Sequence, residues 1–587
     1  MKNYNLNQIS SAGEKKSTLK ALNKLLQLIR AERPNLLKAL AAILLNSGLL
    51  LLGPYLVGHT IDTYIRTKQY HGVLVFSGIL LVMYLTAMVT GYFQTKLMGG
   101  VGQRMLFTLR NAIFTKLQEL PVGFFNQNKA GDLISRVNND TDKLNQFFSQ
   151  SLMQFIGSIM TMIGAGIFLL SINVKLGAAG LFPAVLILVF TALLSPWVKR
   201  KNAVNLKSTG GMSAEIQESL NNFKVIIAFN RRDYFRKKFD QANHENYKTA
   251  IGAGLANNIF MPVYGMLSSF AQLIVLLYGI HLISIGEFSI GLLVSYLSYA
   301  TNFYNPLRQL AALWASFQVA MAGWDRISQI LSLETDLVAV EVAEEEKQAA
   351  LLEFRNVHFG YEQDRDILHD ISFKLEKGKT YALIGPTGGG KTTTASLIAR
   401  LYDAGKGTVL LQGRDIRSYP AAERSQKIGF ILQEPFLFSG TVKDNILYGN
   451  EIYKDYSNAQ LEEVIRESNL GELLAIFDEG LETKVTSGSD NISLGQKQLI
   501  AFMRAVLRKP DLLILDEATA NIDTVTEQLL GAILKKLPAE TTLVIIAHRL
   551  NTIENADQIF FVNSGEVQKA GTMKHAMEML LEGKRST

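Results

Sequence analysis

The 587-residue sequence has no cysteine and only three tryptophans. Without thiols there is no disulfide framework, no thiolate metal site and no cysteine nucleophile. The polar opening MKNYNLNQISSAGEKKS lacks the apolar core and small-residue cleavage site of a secretory signal, so the N-terminus is expected to stay in the cytoplasm. Nucleic acid is not an expected partner. The formal charge is +7, but many of the basic residues sit in the N-terminal segment and in loops beside apolar runs, with no basic stripe interleaved with aromatics. Charge is scarce over the first 325 residues, where long apolar runs dominate. It returns in the remainder, which alternates short β-branched runs with charged helical patterns. Two solvents are implied, lipid and then water, and the length suggests several domains.

Six apolar stretches are long enough, at about 1.5 Å per residue, to cross a hydrocarbon layer of about 30 Å. They lie near Leu36–Ile61, Gly72–Phe93, Phe148–Ile172, Leu176–Val198, Ala253–Ile283 and Phe288–Trp314. Buried helices of a soluble protein are the alternative, and the sixfold recurrence argues against it. Asn257, Asn258, Pro262 and Gln272 in the fifth stretch, and Asn302, Asn305 and Arg308 in the sixth, suit the lining of a cavity. Hydrogen bonding between helices is the competing reading for each of these side chains. Six basic residues precede the first span, from Lys15 to Arg33, whereas the segment SIGEF after the fifth has none. The even-numbered connections, around 94–147 and 199–252, are therefore expected to be cytoplasmic. Both are long and helical in period, so the spans should continue beyond the membrane. Leu19, Leu22, Leu25, Leu26 and Ile29 share one helical face, which predicts a helix lying in the membrane interface and broken by Pro34.

The organisation expected is a cytoplasmic N-terminus with an interfacial helix over 1–35, a membrane domain over 36–328, an acidic linker over 329–350 and a second domain over 351–587. In the last, strand-like runs at Leu352–Phe354, Thr380–Ile384, Ile428–Leu432, Leu512–Leu515 and Thr542–Ile546 alternate with helical patterns. That predicts a largely parallel sheet covered by helices.

The run TYALI leads into Gly385, Pro386, Thr387, Gly388, Gly389, Gly390, Lys391 and Thr392, with Thr393 beginning a helical pattern. This is the G-x-x-x-x-G-K-[ST] phosphate loop in strand, loop, helix order. Its glycines let successive N–H groups converge on an anion, Lys391 neutralises phosphate charge, and the Thr392 hydroxyl suits magnesium. LLILDE ends four aliphatic residues in Asp516 and Glu517, as a buried central strand delivering acids to its carboxyl end would. Asp516 is the expected magnesium holder, and Glu517 the residue that polarises an attacking water for in-line transfer. Gln433, in FILQEPFLFSG, and His548, closing TLVIIAHR, are polar residues at strand ends suited to reporting on the γ-phosphate or the metal.

On these motifs the sequence resembles the ATP-binding-cassette (ABC) exporter half-transporters over nearly its whole length from about residue 18. The fold implied is a membrane protein with an all-α domain of six transmembrane helices followed by an α/β P-loop NTPase domain of ABC type. The resemblance assigns Gly385–Thr392 to Walker A, Leu512–Glu517 to Walker B, Gln433 to the Q-loop, Ala520–Asp523 to the D-loop and His548 to the switch histidine. Tyr361, in VHFGY, matches the aromatic that stacks on adenine. The stretches Pro121–Asp142 and EIQESLNNFKVIIAFNRRD resemble cytoplasmic loops whose short transverse helices press on nucleotide domains. Asn222 stands in the second where many members have glycine. ATP and magnesium are the implied cofactors, and the cytoplasmic membrane is the implied location. The implied activity is ATP-driven export of an amphiphilic, drug-like or lipid-like substrate. An ATP-gated channel or regulator, or an importer, on the same scaffold is the alternative.

The signature pentapeptide is usually Leu-Ser-Gly-Gly-Gln, and here it reads Ile492-Ser493-Leu494-Gly495-Gln496. Ser493, Gly495 and Gln496 are kept, opening a helix whose N-terminus suits the γ-phosphate of a nucleotide bound to a second chain. Leu494 is extra apolar bulk at the closest approach, and Ser487 stands where glutamate is common. One reading is tolerated drift in a homodimer. The other, which we favour, is a heterodimer in which this altered signature closes a slowly hydrolysing second site. On either reading the resemblance implies two chains.

Overall fold

The computed structural model of the chain describes residues 4–6, 30–341, 350–362, 365–486, 492–516, 524–546, 556–571 and 573–583. The predicted interfacial helix, Glu344–Glu346, Ser487, Glu517, Ala520–Asp523 and His548 lie outside these residues. In its described residues the chain forms two compact units, one of Met1–Gly13, Leu117–Asp132 and Ser332–Thr587, the other of Glu14–Lys116 and Leu133–Leu331.

The second of these units is helical. Among the described residues, Arg33–Ile65, Tyr70–Glu119, Ala130–Ile172, Val174–Asn221 and Arg232–Ser284 are long and apolar enough to cross a membrane. Tyr70–Glu119 holds 50 residues, about 75 Å at the α-helical rise, so the spans do run far beyond a hydrocarbon layer. Pro34 opens the helix Arg33–Thr60 at its first turn, where a missing N–H costs nothing.

The sixth expected span lies on the helix Ile290–Leu331, which falls short of that apolar measure among the described residues. Its composition follows from its place at the centre of the unit. The buried hydroxyls of Tyr299 and Tyr304 donate to the carbonyls of Leu51 and Gly180, at 2.7 and 2.8 Å, and Tyr296 donates to Asn173 O at 2.8 Å. Small residues let the backbones meet: a Cβ on Gly291 would stand 2.1 Å from Gly58 O. Toward the C-terminal end of the helix, Arg326 pairs with Asp140, which is 1 % exposed. Gln272 donates to Thr301 Oγ1 at 3.2 Å, and Asn202 and Asn257 exchange bonds at 2.9 and 3.0 Å. These polar residues join helices, as the competing reading had it. The Arg308 side chain lies outside what the structure describes.

Among the described residues the first unit contains twelve strands: β1 Leu352–Phe359, β2 Leu368–Leu375, β3 Thr380–Ile384, β4 Lys406–Leu411, β5 Arg414–Asp415, β6 Ile428–Ile431, β7 Gly440–Thr441, β8 Lys484–Val485, β9 Leu512–Asp516, β10 Thr542–Ile546, β11 Gln558–Asn563 and β12 Glu566–Lys569. The main sheet has the order β12-β11-β3-β10-β9-β6, parallel except for β12. β9 and β10 are buried at every position, as their unbroken aliphatic runs require. Leu352–Phe354, expected in the parallel sheet, belongs instead to a separate antiparallel sheet, β2-β1-β4-β5. A short hairpin joins β1 to β2, and eight residues are too few for the crossover that parallel neighbours need. The two sheets share a core in which Phe373 lies 5.2 Å from Phe560, centroid to centroid.

Candidate functional site: a phosphate loop and its couplings

In the parallel sheet, β3, β6, β9 and β10 all point their carboxyl ends the same way, the usual place for a ligand in an α/β sheet. Gly385 follows β3, Gln433 comes two residues after β6, and Asp516 ends β9. The loop after β3 depends on glycine. Gly385 has φ 147° and a Cβ there would lie 1.9 Å from Val562 O, while Gly388 and Gly390 have φ 83° and 112°. Gly390 caps the helix Lys391–Ile398 in the left-handed region, leaving first-turn N–H groups free of intrahelical partners. Lys391 is 5 % exposed, and its ammonium donates to the carbonyls of Gly385 and Pro386 at 2.9 and 3.0 Å. Pro386 is half-buried and Thr387 and Gly388 are exposed, so the loop's crest faces solvent.

Thr392 Oγ1 donates to Asp516 Oδ1 at 3.3 Å. Asp516 is 4 % exposed and Thr392 is exposed, so a buried carboxylate meets a hydroxyl at the solvent edge. A hydroxyl and a carboxylate beside a phosphate loop are the oxygen donors magnesium accepts. Gln433, the third expected metal contact, is exposed at the same end of the sheet.

Tyr361 is half-buried. Its hydroxyl donates to Thr393 Oγ1 at 3.2 Å, and its ring meets Phe359 and Tyr402 edge-on at 5.1 and 5.2 Å. Tyr361 and Thr393, both expected from the sequence to hold nucleotide, are thus joined directly, and Tyr402 extends the chain. Asn126, on the transverse helix Val122–Gln127, donates to the Tyr402 hydroxyl at 2.7 Å. Burial raises the Tyr402 phenol above the ordinary tyrosine range. Phe124 on the same helix is fully buried.

Sequence reading missed Tyr402, and it missed the segment Tyr4–Leu6. Tyr4 and Leu6 are 1 % and 0 % exposed. The Tyr4 N–H donates to Gln127 Oε1 at 2.7 Å, the Leu6 N–H to Asn128 Oδ1 at 3.1 Å, and Asn128 Nδ2 returns a bond to Tyr4 O at 2.9 Å. The Tyr4 ring stands edge-on to Phe124 at 6.3 Å and its hydroxyl reaches Glu334 O at 3.0 Å. Burial first, and then the charge of Asp336, holds that phenol neutral. The segment thereby clasps the transverse helix. No period or motif marks it, since two apolar residues in a polar stretch give no pattern.

The signature residues open the helix Leu494–Val506 through a capping box. Ser493 Oγ accepts from Gln496 N at 3.1 Å and Gln496 Oε1 accepts from Ser493 N at 2.9 Å. Leu494 is the first helical residue, its φ is not positive, and it is 39 % exposed, whereas Gly495 is buried. The backbone does not require glycine at 494, so the leucine alters only the outer surface. Farther along this helix Arg504 donates to Asn445 O at 2.7 Å and to Phe436 O at 3.2 Å, tying it to the segment after Gln433. Gln498 is 1 % exposed, and neither polar atom of its side chain has a partner among the described residues.

A family model described as "ABC transporter transmembrane region" matches residues 36–307, and one described as "ABC transporter" matches residues 368–520. An uncharacterized ABC transporter ATP-binding protein of Bacillus subtilis, YfiC, is 34 % identical over 92 % of this chain and 90 % of its own. A fatty acid ABC transporter ATP-binding/permease protein of Mycobacterium bovis is 31 % identical over 84 % of this chain and 77 % of its own. A protein of Bacillus subtilis named as a putative multidrug export ATP-binding/permease protein, YgaD, is 31 % identical over 83 % of this chain and 84 % of its own.

Proposed function

Because the chain belongs to the ABC transporter family, as a multi-pass exporter half-transporter whose ATPase activity is coupled to transport, we propose that it forms one subunit of a heterodimer exporting an amphiphilic or hydrophobic compound across the cytoplasmic membrane. The observation that carries the ATP site is the bond between Thr392 and Asp516 beside the glycine-dependent loop. Gly385 to Thr393 hold the triphosphate, with Lys391 turning from its own loop carbonyls to the β- and γ-phosphates. Tyr361 stacks on the adenine. Thr392, Asp516 and Gln433 would hold magnesium, which would neutralise the phosphate oxygens. Glu517 orients the attacking water, His548 contacts the γ-phosphate, and Asp523 of the D-loop joins the nucleotide-binding set, as the family pattern assigns.

Closure of two nucleotide domains on ATP moves the transverse helices and turns the cavity from inward-open to outward-open. Hydrolysis resets it. The apolar residues Phe223, Val225, Ile227 and Phe229 of the second cytoplasmic loop are exposed, and so are Phe436, Phe438 and Tyr448 of the nucleotide domain. Surfaces of this kind are covered when a partner chain is present. The names of two relatives, which refer to fatty acid transport and multidrug export, support a lipid-like or drug-like cargo.

Leu494 supports the heterodimer, because an exposed leucine beside Ser493 crowds a phosphate approaching this helix from the partner. A homodimer is the second reading. The intact capping box of Ser493 and Gln496 favours it, since the helix N-terminus remains formed. Purifying the chain alone and together with the product of a neighbouring gene decides between them. The heterodimer predicts little ATPase from the single chain and a turnover in the pair that Glu517→Gln abolishes. Robust Glu517-dependent hydrolysis by one chain alone would overturn it.

A further inference from the structure

The hairpin that carries Tyr361 also brings together a cluster of nitrogen and oxygen donors. Phe359 of β1 faces Leu368 of β2, and Val357 faces Ile371. Between those pairs β1 has one residue, His358, and β2 has two, His369 and Asp370. This is a β-bulge, and Asp370 takes the positive φ, 46°, that it requires. Asp370 is drawn away by Asn356, whose amide donates to it at 2.8 Å. That leaves His369 beside His358. The position of His369 is set by its N–H donating to Gly565 O at 2.8 Å. The loop between the strands is closed by Ile367 N donating to Phe359 O at 2.7 Å, which places Asp366 3.7 Å from the His358 Nδ1 atom. One ligand atom from each of His358, Asp366 and His369 lies within 4.8 Å of the other two.

We propose that His358, Asp366 and His369 form a site for a divalent transition ion, with zinc the expected occupant, and that this ion tunes the nucleotide affinity of Tyr361. Two imidazoles and a carboxylate suit zinc, whereas magnesium and calcium prefer oxygen ligands alone. Zinc bonds of about 2.0–2.2 Å in tetrahedral array put neighbouring donors about 3.3 Å apart. The three side chains need close by only on the order of 1 Å to reach that spacing. Asp366 and His369 are exposed and His358 is half-buried, so small rotations suffice and the fourth position stays open. Lys406 pairs with His358 on the far side of β1, and Arg365 adjoins Asp366. These cations keep the affinity below that of a structural zinc site and make the ion exchangeable.

The link to nucleotide follows from position, and it rests on the proposed role of Tyr361 in holding adenine. Tyr361 lies between His358 and Asp366, in the loop whose two ends the ion would tie. Fixing that loop removes part of the ordering cost of binding, so zinc should tighten ATP, and ATP should tighten zinc by the same factor.

The test is a zinc titration of the full-length protein, together with its partner chain if one is needed, in nucleotide-free buffer. His369→Gln and Asp366→Asn are the variants, both at exposed positions. The wild type should bind one zinc that each variant weakens at least tenfold. Equal zinc binding by wild type and both variants overturns the site. A fluorescent ATP analogue, titrated with magnesium in excess, should bind about two- to tenfold tighter with zinc in the wild type and show no shift in His369→Gln. The same shift in both proteins overturns the coupling. Because zinc binding is read without nucleotide, a wild type that bound zinc but no ATP would uphold the metal site while overturning the function proposed above.

Discussion

Replacing Tyr402 by phenylalanine removes one hydroxyl and keeps the ring. The edge-on contact with Tyr361 at 5.2 Å and the tilted contact with Phe359 at 5.6 Å both survive. What is lost is the bond from Asn126 at 2.7 Å. A neutral hydrogen bond of this kind contributes about 0.5–1.5 kcal/mol, and exposed Asn126 can turn to water, so no buried donor is stranded. The docking equilibrium of the transverse helix should therefore weaken roughly 2- to 12-fold, taking about 1.4 kcal/mol per factor of ten. Phe124→Ala on the same helix empties a fully buried site and should cost about 3–5 kcal/mol, enough to undock the helix. The assay is substrate moved per ATP hydrolysed in proteoliposomes, with ATP affinity measured alongside. Tyr402→Phe should lower that ratio severalfold with ATP affinity unchanged, and Phe124→Ala should nearly abolish it. A ratio unchanged in Tyr402→Phe, or a loss of ATP affinity there, would refute the reasoning.

Gly385→Ala sets a Cβ 1.9 Å from Val562 O at a φ of 147°. The resulting strain of about 1–3 kcal/mol should weaken binding of a fluorescent ATP analogue roughly 5- to 150-fold, and unchanged binding would speak against the loop geometry. Gln498→Met replaces two buried polar atoms, without partners among the described residues, by a side chain of similar shape. Relief of about 1–3 kcal/mol should raise the thermal midpoint of the full-length protein, which a thermal scan reads directly. Tyr4→Ala removes the edge-on contact to Phe124 and the bond to Glu334 O. Hydrogen exchange at residues 121–128 should then quicken, while the rate at β9 stays as it was.

Five of the expected spans and the parallel strands were legible because a single environment acts along each. Thr380–Ile384 and Thr542–Ile546 are unbroken apolar runs bounded by turn residues, and they were read to the residue. β1 was assigned to the wrong sheet because its first three residues look the same whether the neighbour is parallel or antiparallel. The bulge at His369 and Asp370 also interrupts the alternation that would have betrayed a hairpin. The glycine-dependent loop after β3 was legible because its glycines, lysine and threonine stand at fixed spacing, and the place of Asp516 because an aliphatic strand ends on it. Their meeting at 3.3 Å is a matter of strand order, which sequence spacing does not carry. Tyr402 and Tyr4 act through contacts hundreds of residues apart, from segments without helical or strand period. For the same reason the polar residues of the fifth and sixth spans admit two readings, cavity lining and links between helices.

The account depends most on ATP held at Lys391 and Asp516 driving movement across the membrane. Accumulation of ethidium or a fluorescent fatty acid in inside-out vesicles measures this directly. Vesicles carrying the wild-type transporter should accumulate one of these probes on addition of ATP, and Lys391→Ala or Asp516→Asn should hold it at the level seen without ATP. Accumulation by either variant equal to the wild type would contradict the account.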